Sequence, residues 1–334
     1  VTDPSLILAP LRRLPGLAAL AADDLEAMPL KGVAHDHVRL KGRGLVVRIP
    51  RWSQQGLDAA ANLTYQAAAF RRAAPSGHTP EPAAVLEPQP GLPMGALVVG
   101  EIVGRPPRLP ADMPAIAQAL AALHRLPLPD TDARPPLASP ADPAAATLDL
   151  VHRQSVHFAR TGLAPAAAAA IAEELSAAAA VRVAAPQPVV LAGTDVHPGN
   201  FLIDAAGKAW FTDLEKAQYG NPAIDLAHAS LPTSTLWDPD VAAELAPDAV
   251  EAFLAAWAAA VPPELAVATR PWLKPMRRLT WLRTLSWMAR WTADGAALSP
   301  GMPDRLRAHL DARAADVLRA EAIERVRRDW RAER

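Results

Sequence analysis

The sequence predicts an α+β fold in two lobes: a small N-terminal lobe with an antiparallel sheet plus one helix, and a larger, mainly helical C-terminal lobe. Three observations predict it. The chain has 334 residues, more than one compact core usually supports. Between residues 30 and 103, short runs of strand character with turn signals flank a single helical stretch. Beyond residue 112, apolar residues recur at helical spacing through most of the chain. The expected N-lobe covers residues 1–100 and the expected C-lobe 101–334.

Residues 4–28 read as one or two short helices, broken by Pro10 and Pro15, with Asp23 and Asp24 favouring a helix start. From Leu30 to Pro50 the pattern becomes strand, turn, strand: 31–37 continuing through Val38-Arg39-Leu40, a turn over 41–44, then Leu45-Val46-Val47-Arg48-Ile49. A helix over about 57–73 follows, and Val85-Leu86 with 96–103 completes the sheet. The pattern I-A-x-A-L-A-A-L-H over 112–124 is an amphipathic helix. Residues 126–146, with Pro127, Pro129, Pro135, Pro136, Pro140 and Pro143, form a stiff surface connection. Helices over about 144–161 and 165–183 precede a strand at Val189-Val190-Leu191; the alanines at 166–170 are helix because Ile171 and Leu175 continue the stripe. Helices over about 225–231, 241–260, 272–294 and 303–332 complete the chain. The last presents Leu306, Leu310, Val317, Leu318 and Val326 opposite a solvated charged face.

The run Thr194-Asp195-Val196-His197-Pro198-Gly199-Asn200, followed by Phe211-Thr212-Asp213-Leu214-Glu215, carries the chemistry. Residues 201–204 and 209–212 read as two short strands around the turn Ala205-Ala206-Gly207-Lys208. If Asp204 pairs with Ala209, Asn200 lies opposite Asp213 with Cα atoms about 5 Å apart. Two hard oxygen donors at that separation suit one Mg²⁺ bridging nucleotide phosphates. Asp195, upstream on the same loop, lies within reach of an incoming alcohol. This D-x-x-x-x-N…D arrangement offers one carboxylate to receive a hydroxyl proton, and an amide with a second carboxylate to hold the metal. Asp, Pro, Gly and Asn alone make an ordinary loop; the hairpin ending in a further Asp sets this one apart.

Residues 189–229 resemble the aminoglycoside phosphotransferase and choline kinase superfamily, of protein-kinase-like fold. Its pattern runs H-G-D-x-x-x-x-N, then I-D-x-E, then G-x-P-x-x-D-L-A, the last matched by Gly220-Asn221-Pro222-Ala223-Ile224-Asp225-Leu226-Ala227. The resemblance implies that Asp195 is the catalytic base, that Asn200 and Asp213 bind Mg²⁺, and that Asp225 braces the catalytic loop from behind. His197 matches the family's frequent H-x-x-N ending and is implied as support. The departure is at the front, where the family's His-Gly is Gly193-Thr194, which bears on loop rigidity.

The succession of strands, helix and strands also matches a kinase-like N-lobe. Its third strand implies Arg48 as the basic residue touching the α- and β-phosphates, where a guanidinium clamps phosphate with two parallel bonds. The partner carboxylate expected on the following helix is not evident: the helix offers Asn62, Gln66, Arg71 and Arg72, with Gln66 as a weaker hydrogen-bonding substitute. No G-x-G-x-x-G exists, so Gly32, His35 and His37 are expected to cover the phosphates. Two imidazoles around an Asp also read as metal binding, although a polar turn serves as well without a third ligand. Residues 95–104 resemble the linker between lobes, where backbone groups hold adenine; the expected contacts are Val99, Glu101 and Ile102.

In this family the acceptor sits between the catalytic loop and C-lobe helices. Residues 270–292 carry Trp272, Trp281, Trp287 and Trp291 with Arg277, Arg278, Arg283 and Arg290, and no Asp or Glu. Arg283, Trp287 and Arg290 lie along one helix face, at steps of four and three; Met288 and Trp291 occupy another, facing the core. Trp237, in the loop after the Asp225 helix, is a further substrate candidate. A polycationic acceptor needs clustered carboxylates, and a choline-type cation drawn to Trp faces meets opposing arginines. The stretch therefore favours a neutral or anionic hydroxylated metabolite, with Asp238, Asp240, Glu244 and Glu251 as a possible acidic wall.

A net charge of −1 gives no electrostatic case for nucleic acid or an anionic membrane as partner. The absence of Cys removes disulfides, zinc–cysteine sites and thiol catalysis. No segment has the uninterrupted apolar length of a transmembrane helix, and Val1-Thr2-Asp3-Pro4 lacks a signal pattern, so a cytoplasmic location is expected. The expected function is an ATP- and Mg²⁺-dependent kinase of a small hydroxylated molecule, with GTP as the alternative nucleotide. Two other classes stay open: a catalytically silent kinase fold that binds nucleotide, and a hydrolase using Asp213 with Glu215.

Overall fold

The computed structural model describes residues 3–30, 32–298 and 302–331; Lys31, at the start of the strand expected over 31–37, and residue 332 lie outside them. Helix α1 (Ser5–Arg12) packs Ile7 and Leu11, with Leu17 and Leu20, on the outer face of the sheet. Where helices alone were expected up to residue 28, Leu25–Ala27 forms strand β1, pairing Leu25 with Leu40 of β2 (His35–Leu40). Three residues carry too little alternation to declare a strand, and the open edge of β2 decides the matter. Strand β3 (Leu45–Pro50) pairs with β2 so that His37 lies opposite Arg48. Alternate side chains share a face, so His35, His37 and Arg48 all point to the inner side. Helix α2 (Ala59–Ala73) starts at Asp58, whose carboxylate accepts the Ala61 N–H. Strands β4 (Pro82–Leu86) and β5 (Ala96–Gly100) complete the order β1-β2-β3-β5-β4, which sets Arg48 on the central strand. β5 stops at Gly100, short of the expected run to 103.

The helical part begins with α3 (Met113–His124), α4 (Pro143–Ser155) and α5 (Pro165–Ala180). Strands β6 (Val190–Ala192), β7 (Phe201–Ile203), β8 (Ala209–Phe211) and β9 (Gln218–Gly220) form two small antiparallel pairs, β6 with β9 and β7 with β8. The β7–β8 hairpin pairs Ile203 with Ala209 and Phe201 with Phe211, one residue out of the expected register. The Asp204 N–H closes the turn on the Lys208 carbonyl at 3.0 Å, leaving three residues in the loop where four were expected, and the Asp204 carboxylate caps it by accepting the N–H groups of Ala206 and Lys208 and Trp210 Nε1, all at 2.9 Å. Asn200 therefore faces Thr212, whose N–H and Oγ1 both donate to the Asn200 carbonyl, and Asp213 lies one residue beyond.

Helices α6 (Ala223–Ser230), α7 (Pro232–Thr235), α8 (Pro247–Ala260), α9 (Pro263–Thr269), α10 (Leu273–Leu298), α11 (Asp304–Val317) and α12 (Ala320–Arg331) follow. The single C-terminal helix expected from the stripe is thus two. The Leu318 N–H bonds back to Ala314, the chain turns, and Ile323, Val326 and Trp330 of α12 join the core around Trp281. No helix among the described residues is long and apolar enough to cross a membrane.

One apolar cluster joins the sheet to the helical part. It takes Val46, Leu97 and Val99 from the sheet, Leu63 and Phe70 from α2, Leu120 from α3, Phe201 and Phe211 from the hairpin, and Trp257 from α8. The cleft lies beside this seam.

Candidate active site

Between β6 and β7 the chain turns at Thr194, which has φ = 57°. A β-branched side chain is strained in this left-handed conformation, so the turn exists only because its surroundings impose it. Thr194 N–H donates to Asp225 Oδ1 and Gly193 N–H to Asp225 Oδ2, both at 2.8 Å, while Thr194 Oγ1 donates to the Lys216 carbonyl at 2.8 Å. Asp225, fully buried in the first turn of α6, also receives His124 Nε2 at 3.0 Å. His124 Nδ1 in turn accepts Trp257 Nε1 at 3.0 Å, which places the imidazole proton on Nε2. This relay ties the loop to α3, α6 and α8. The glycine standing where the pattern has histidine fits a filled space: a Cβ on Gly193 would come within 2.6 Å of Val196 Cγ1 and 2.7 Å of Phe211 Cε1.

Asp195 follows the turn. Its Oδ2 lies 2.6 Å from Lys216 Nζ and its Oδ1 3.7 Å from His228 Nε2. Burial alone would raise this carboxyl; the Lys216 charge outweighs it and holds Asp195 far below the usual carboxylate range. Lys216 is raised in return, its pairing with Asp195 and Glu215 overcoming burial. Burial pushes His228 down to about 3 against the pull of Asp195, so its imidazole is neutral. Asn200 Nδ2 donates to the Asp195 carbonyl at 2.7 Å, which turns its Oδ1 into the atom available to a cation.

Arg48 reaches this loop from the sheet. Nη1 donates to the Thr212 carbonyl and Nη2 to Asp213 Oδ1, each at 2.8 Å. The α2 partner is the ring of Phe70, 5.1 Å from the guanidinium carbon, an aromatic face in place of a carboxylate. Gln66 Oε1 instead accepts His35 Nε2 at 3.1 Å. Burial and the Arg48 charge push His35 down to about 4 and His37 well below the ordinary imidazole range. Burial and the neighbouring Asp213 raise Glu215 to about 8. Gln54 Nε2 donates to Glu215 Oε1, and Gln55 Nε2 to the Glu215 carbonyl at 2.6 Å.

Asp195, Asn200, Asp213, Gly32, His35 and His37 line one cleft of about 970 Å³. Its far wall carries Trp237, Arg283, Trp287 and Arg290. The carboxylates of Asp213 and Glu215 and the amide oxygen of Asn200 are hard donors of the kind that hold Mg²⁺, so the residues present fit that ion.

The model of the phosphotransferase enzyme family, APH, matches residues 28–266, well over half of the chain. The chain belongs to this family. Among solved structures, a choline/ethanolamine kinase family protein from Mesorhizobium loti aligns with 21% identity and a TM-score of 0.60, covering 96% of this chain and 94% of that one. Choline kinase from Cryptosporidium parvum Iowa II aligns with 12% identity and a TM-score of 0.62, over 98% and 99% of the two chains. An aminoglycoside phosphotransferase solved with AMP-PNP and hygromycin B aligns with 17% identity and a TM-score of 0.55, over 90% and 94%. Likenesses this remote in sequence show a shared protein-kinase-like fold. No curated protein matches the chain by sequence.

Not every expected site residue of this phosphotransferase borders the cleft. Val99 is buried in the joining core opposite Val46, and the Glu101 side chain turns away to Arg39 Nε at 2.6 Å. The Glu101 N–H goes to the Gly44 carbonyl at 2.8 Å, and Ile102, like Val99 and Glu101, does not line the cleft. Arg48 stands behind Asp213. His197 lines the cleft with its ring 6.2 Å from Trp237, which lies 6.1 Å from Trp287 and 5.6 Å from His309. Sequence reasoning missed Lys216, His228, Gln54 and Gln55. Lys216 follows the D-x-E run directly, and that adjacency was the available signal; the others are brought in by the fold alone.

Proposed function

We propose that this phosphotransferase moves the γ-phosphoryl group of ATP or GTP, bound with Mg²⁺, to a hydroxyl of a small neutral or anionic acceptor. The observation that supports this best is the meeting of Asp195, Asn200 and Asp213 in one cleft, with Arg48 bonded to Asp213 from the central strand. Asp195 accepts the hydrogen bond of the acceptor hydroxyl and orients its oxygen in line. The proton passes to the Asp195 carboxylate as the new O–P bond forms and the bond to the leaving phosphate oxygen breaks. Lys216, paired with Asp195, adds positive charge beside the transferred group. Asn200 and Asp213, with Glu215 alongside, would hold Mg²⁺, which supplies charge neutralisation at the phosphates. Arg48 is placed to exchange Asp213 for a phosphate oxygen. Relatives of this fold solved with AMP-PNP and with GDP support a purine nucleotide of either kind.

Two features of the far wall support the acceptor class. Arg153, Lys216, Arg283, Arg290 and Arg305 line the cleft and match in number its acidic residues Asp195, Asp213, Glu215, Asp238 and Asp240, whereas a polycation needs an excess of carboxylates. Among the described residues, four atoms of cleft-lining side chains, His197 Nδ1, His228 Nδ1, Thr233 Oγ1 and Ser234 Oγ, are buried without a hydrogen-bond partner. Side chains of these types make the wall polar without adding charge, which suits a neutral hydroxylated acceptor.

The test measures nucleotide affinity with and without Mg²⁺, and ADP or GDP release over a panel of small alcohols, sugars and acids. Asp195→Ala should keep nucleotide binding and lose transfer, whereas Asp213→Ala should lose the Mg²⁺-dependent part of the affinity. Equal affinity in wild type and Asp213→Ala, or turnover confined to polyamines, would overturn the corresponding half of the proposal.

A further inference from the structure

Three cations that line the cleft stand without a protein partner. They are Arg153 of α4, Arg290 of α10 and Arg305 of α11. Among the described residues none of the three makes a hydrogen bond, ion pair or ring contact. The other charges of the cleft are engaged elsewhere. Asp195 is paired with Lys216, and Asp213 with Arg48. Burial and Asp213 raise Glu215 to about 8, which leaves it mostly uncharged at neutral pH. Asp238 packs on the catalytic loop, where a Cβ on Gly199 would meet its Oδ2 at 2.6 Å, and its Oδ1 accepts the Asp240 N–H at 2.9 Å. Helix α10 sets the distances. Arg283 Nη2 donates to the Thr194 carbonyl, next to Asp195. Arg290 follows seven residues later, two turns on, so it shares that face about 10 Å further along. Trp287 stands between them, its ring 6.1 Å from that of Trp237. Arg153 adjoins the same seam, since its neighbour Gln154 accepts Ser286 Oγ of α10 at 2.9 Å.

We propose that the acceptor is an acidic alcohol: its reacting hydroxyl lies at Asp195, its body along Trp287, and a terminal oxyanion, carboxylate or phosphate, is held by Arg290 with Arg153 and Arg305. The inference rests on the phosphotransfer reading for the place of the hydroxyl, and adds the charge and the length of the molecule. The rise of α10 puts the oxyanion about 10 Å from the hydroxyl. A guanidinium fork binds carboxylate or phosphate through two parallel bonds. Three like charges facing one cleft also draw anions into it and repel cations. The half-buried indole of Trp287 offers the body of the acceptor a flat surface, while Thr233 and Ser234 offer its hydroxyls uncharged partners. Charge is therefore recognised at one end of the acceptor, and the phosphoryl group is received at the other.

The experiment titrates inorganic phosphate, and succinate as the carboxylate probe, into the full chain saturated with Mg²⁺ and AMP-PNP, so that the nucleotide side of the cleft is filled. Tryptophan fluorescence reads binding, because Trp237 and Trp287 border the path. A saturable change is expected that chloride at equal ionic strength does not produce, and the tighter probe names the acid. Arg290→Gln should weaken it at least about tenfold, the scale of losing a hydrogen bond to a charged group. Circular dichroism melts establish that the variant folds; if it does not, Arg153→Gln combined with Arg305→Gln, at exposed positions, should show the same loss. The best acceptor in an alcohol panel should carry an acid group, and Arg290→Gln should raise its KM with little change in kcat. Absence of a saturable response in the wild type, unchanged affinity in the folded variant, or a best acceptor without an acid group overturns the proposal. If AMP-PNP does not bind, the phosphotransfer reading fails by itself, and the same titration of the nucleotide-free chain still decides the anion site.

Discussion

Lys216 Nζ lies 2.6 Å from Asp195 Oδ2, so a cation from the segment after Asp213 is bound to the proposed base. The pairing keeps Asp195 ionised in spite of its burial. Removing the Lys216 charge removes what favours the carboxylate, and burial then raises Asp195. Lys216→Met should lower kcat by about 10²-fold, the scale of losing one preorganised charge at a transferring group. The acid limb of its pH–rate profile should move to higher pH, since protonated Asp195 cannot accept the hydroxyl proton. A profile of unchanged shape would remove Lys216 from the chemistry.

Thr194 makes a separable prediction. Its left-handed backbone costs about 1–2 kcal/mol, and its hydroxyl bond to the Lys216 carbonyl returns about 1 kcal/mol. Thr194→Ala keeps the strain and loses the bond, so urea unfolding should show a loss of about 1 kcal/mol. Thr194→Gly loses the bond but relieves the strain, and should be more stable than the alanine variant. The opposite order would mean that the turn is not strained.

Asp225 accepts two backbone N–H groups and His124 with its two oxygens. Asp225→Asn puts an amide NH₂ where only acceptors fit. Thermal unfolding should report a loss of about 3 kcal/mol, the upper range for buried bonds to a charged group. Single-turnover transfer should fall more steeply than nucleotide affinity, because the displaced loop carries Asp195 while Arg48 stays in the sheet.

The neutrality of His228 links stability to pH. Its folded-state value is pushed down to about 3, whereas the unfolded chain takes up the proton near the ordinary 6.5. Between those values the unfolded state binds more protons, so stability is complete above that window and falls as pH drops through it, at about 1.4 kcal/mol per pH unit. Denaturation midpoints followed from about pH 6 down to pH 4.5 should show a shallower decline in His228→Asn than in the wild type.

The parts of this molecule that were legible in the sequence carry their own local physics. The Asp195–Asn200 loop, the hairpin after it and the long amphipathic helices were read from turn formers and apolar spacing. The one-residue register error came from giving the turn four residues, when Asp204 closes it on the Lys208 carbonyl and its carboxylate caps it by taking the Ala206 and Lys208 N–H groups. Strand β1 was missed because three residues show no period of their own. Phe70 beneath Arg48 and Gln66 beside His35 are invisible to spacing arguments, since each pairs residues from different elements. Trp237, Arg283, Trp287 and Arg290 were named from composition and do reach the cleft. Lys216 and His228 were passed over because nothing local marks a side chain that acts through a distant carboxylate.

The apolar seam between sheet and helices has a practical consequence. A piece cut after residue 100 would leave Val46, Leu97, Val99 and Phe70 wet, and the remainder would lose the cover of its hairpin and of α3. Neither half would survive separate expression, and limited proteolysis in the proline-rich stretch should yield nicked chains that migrate together until denatured.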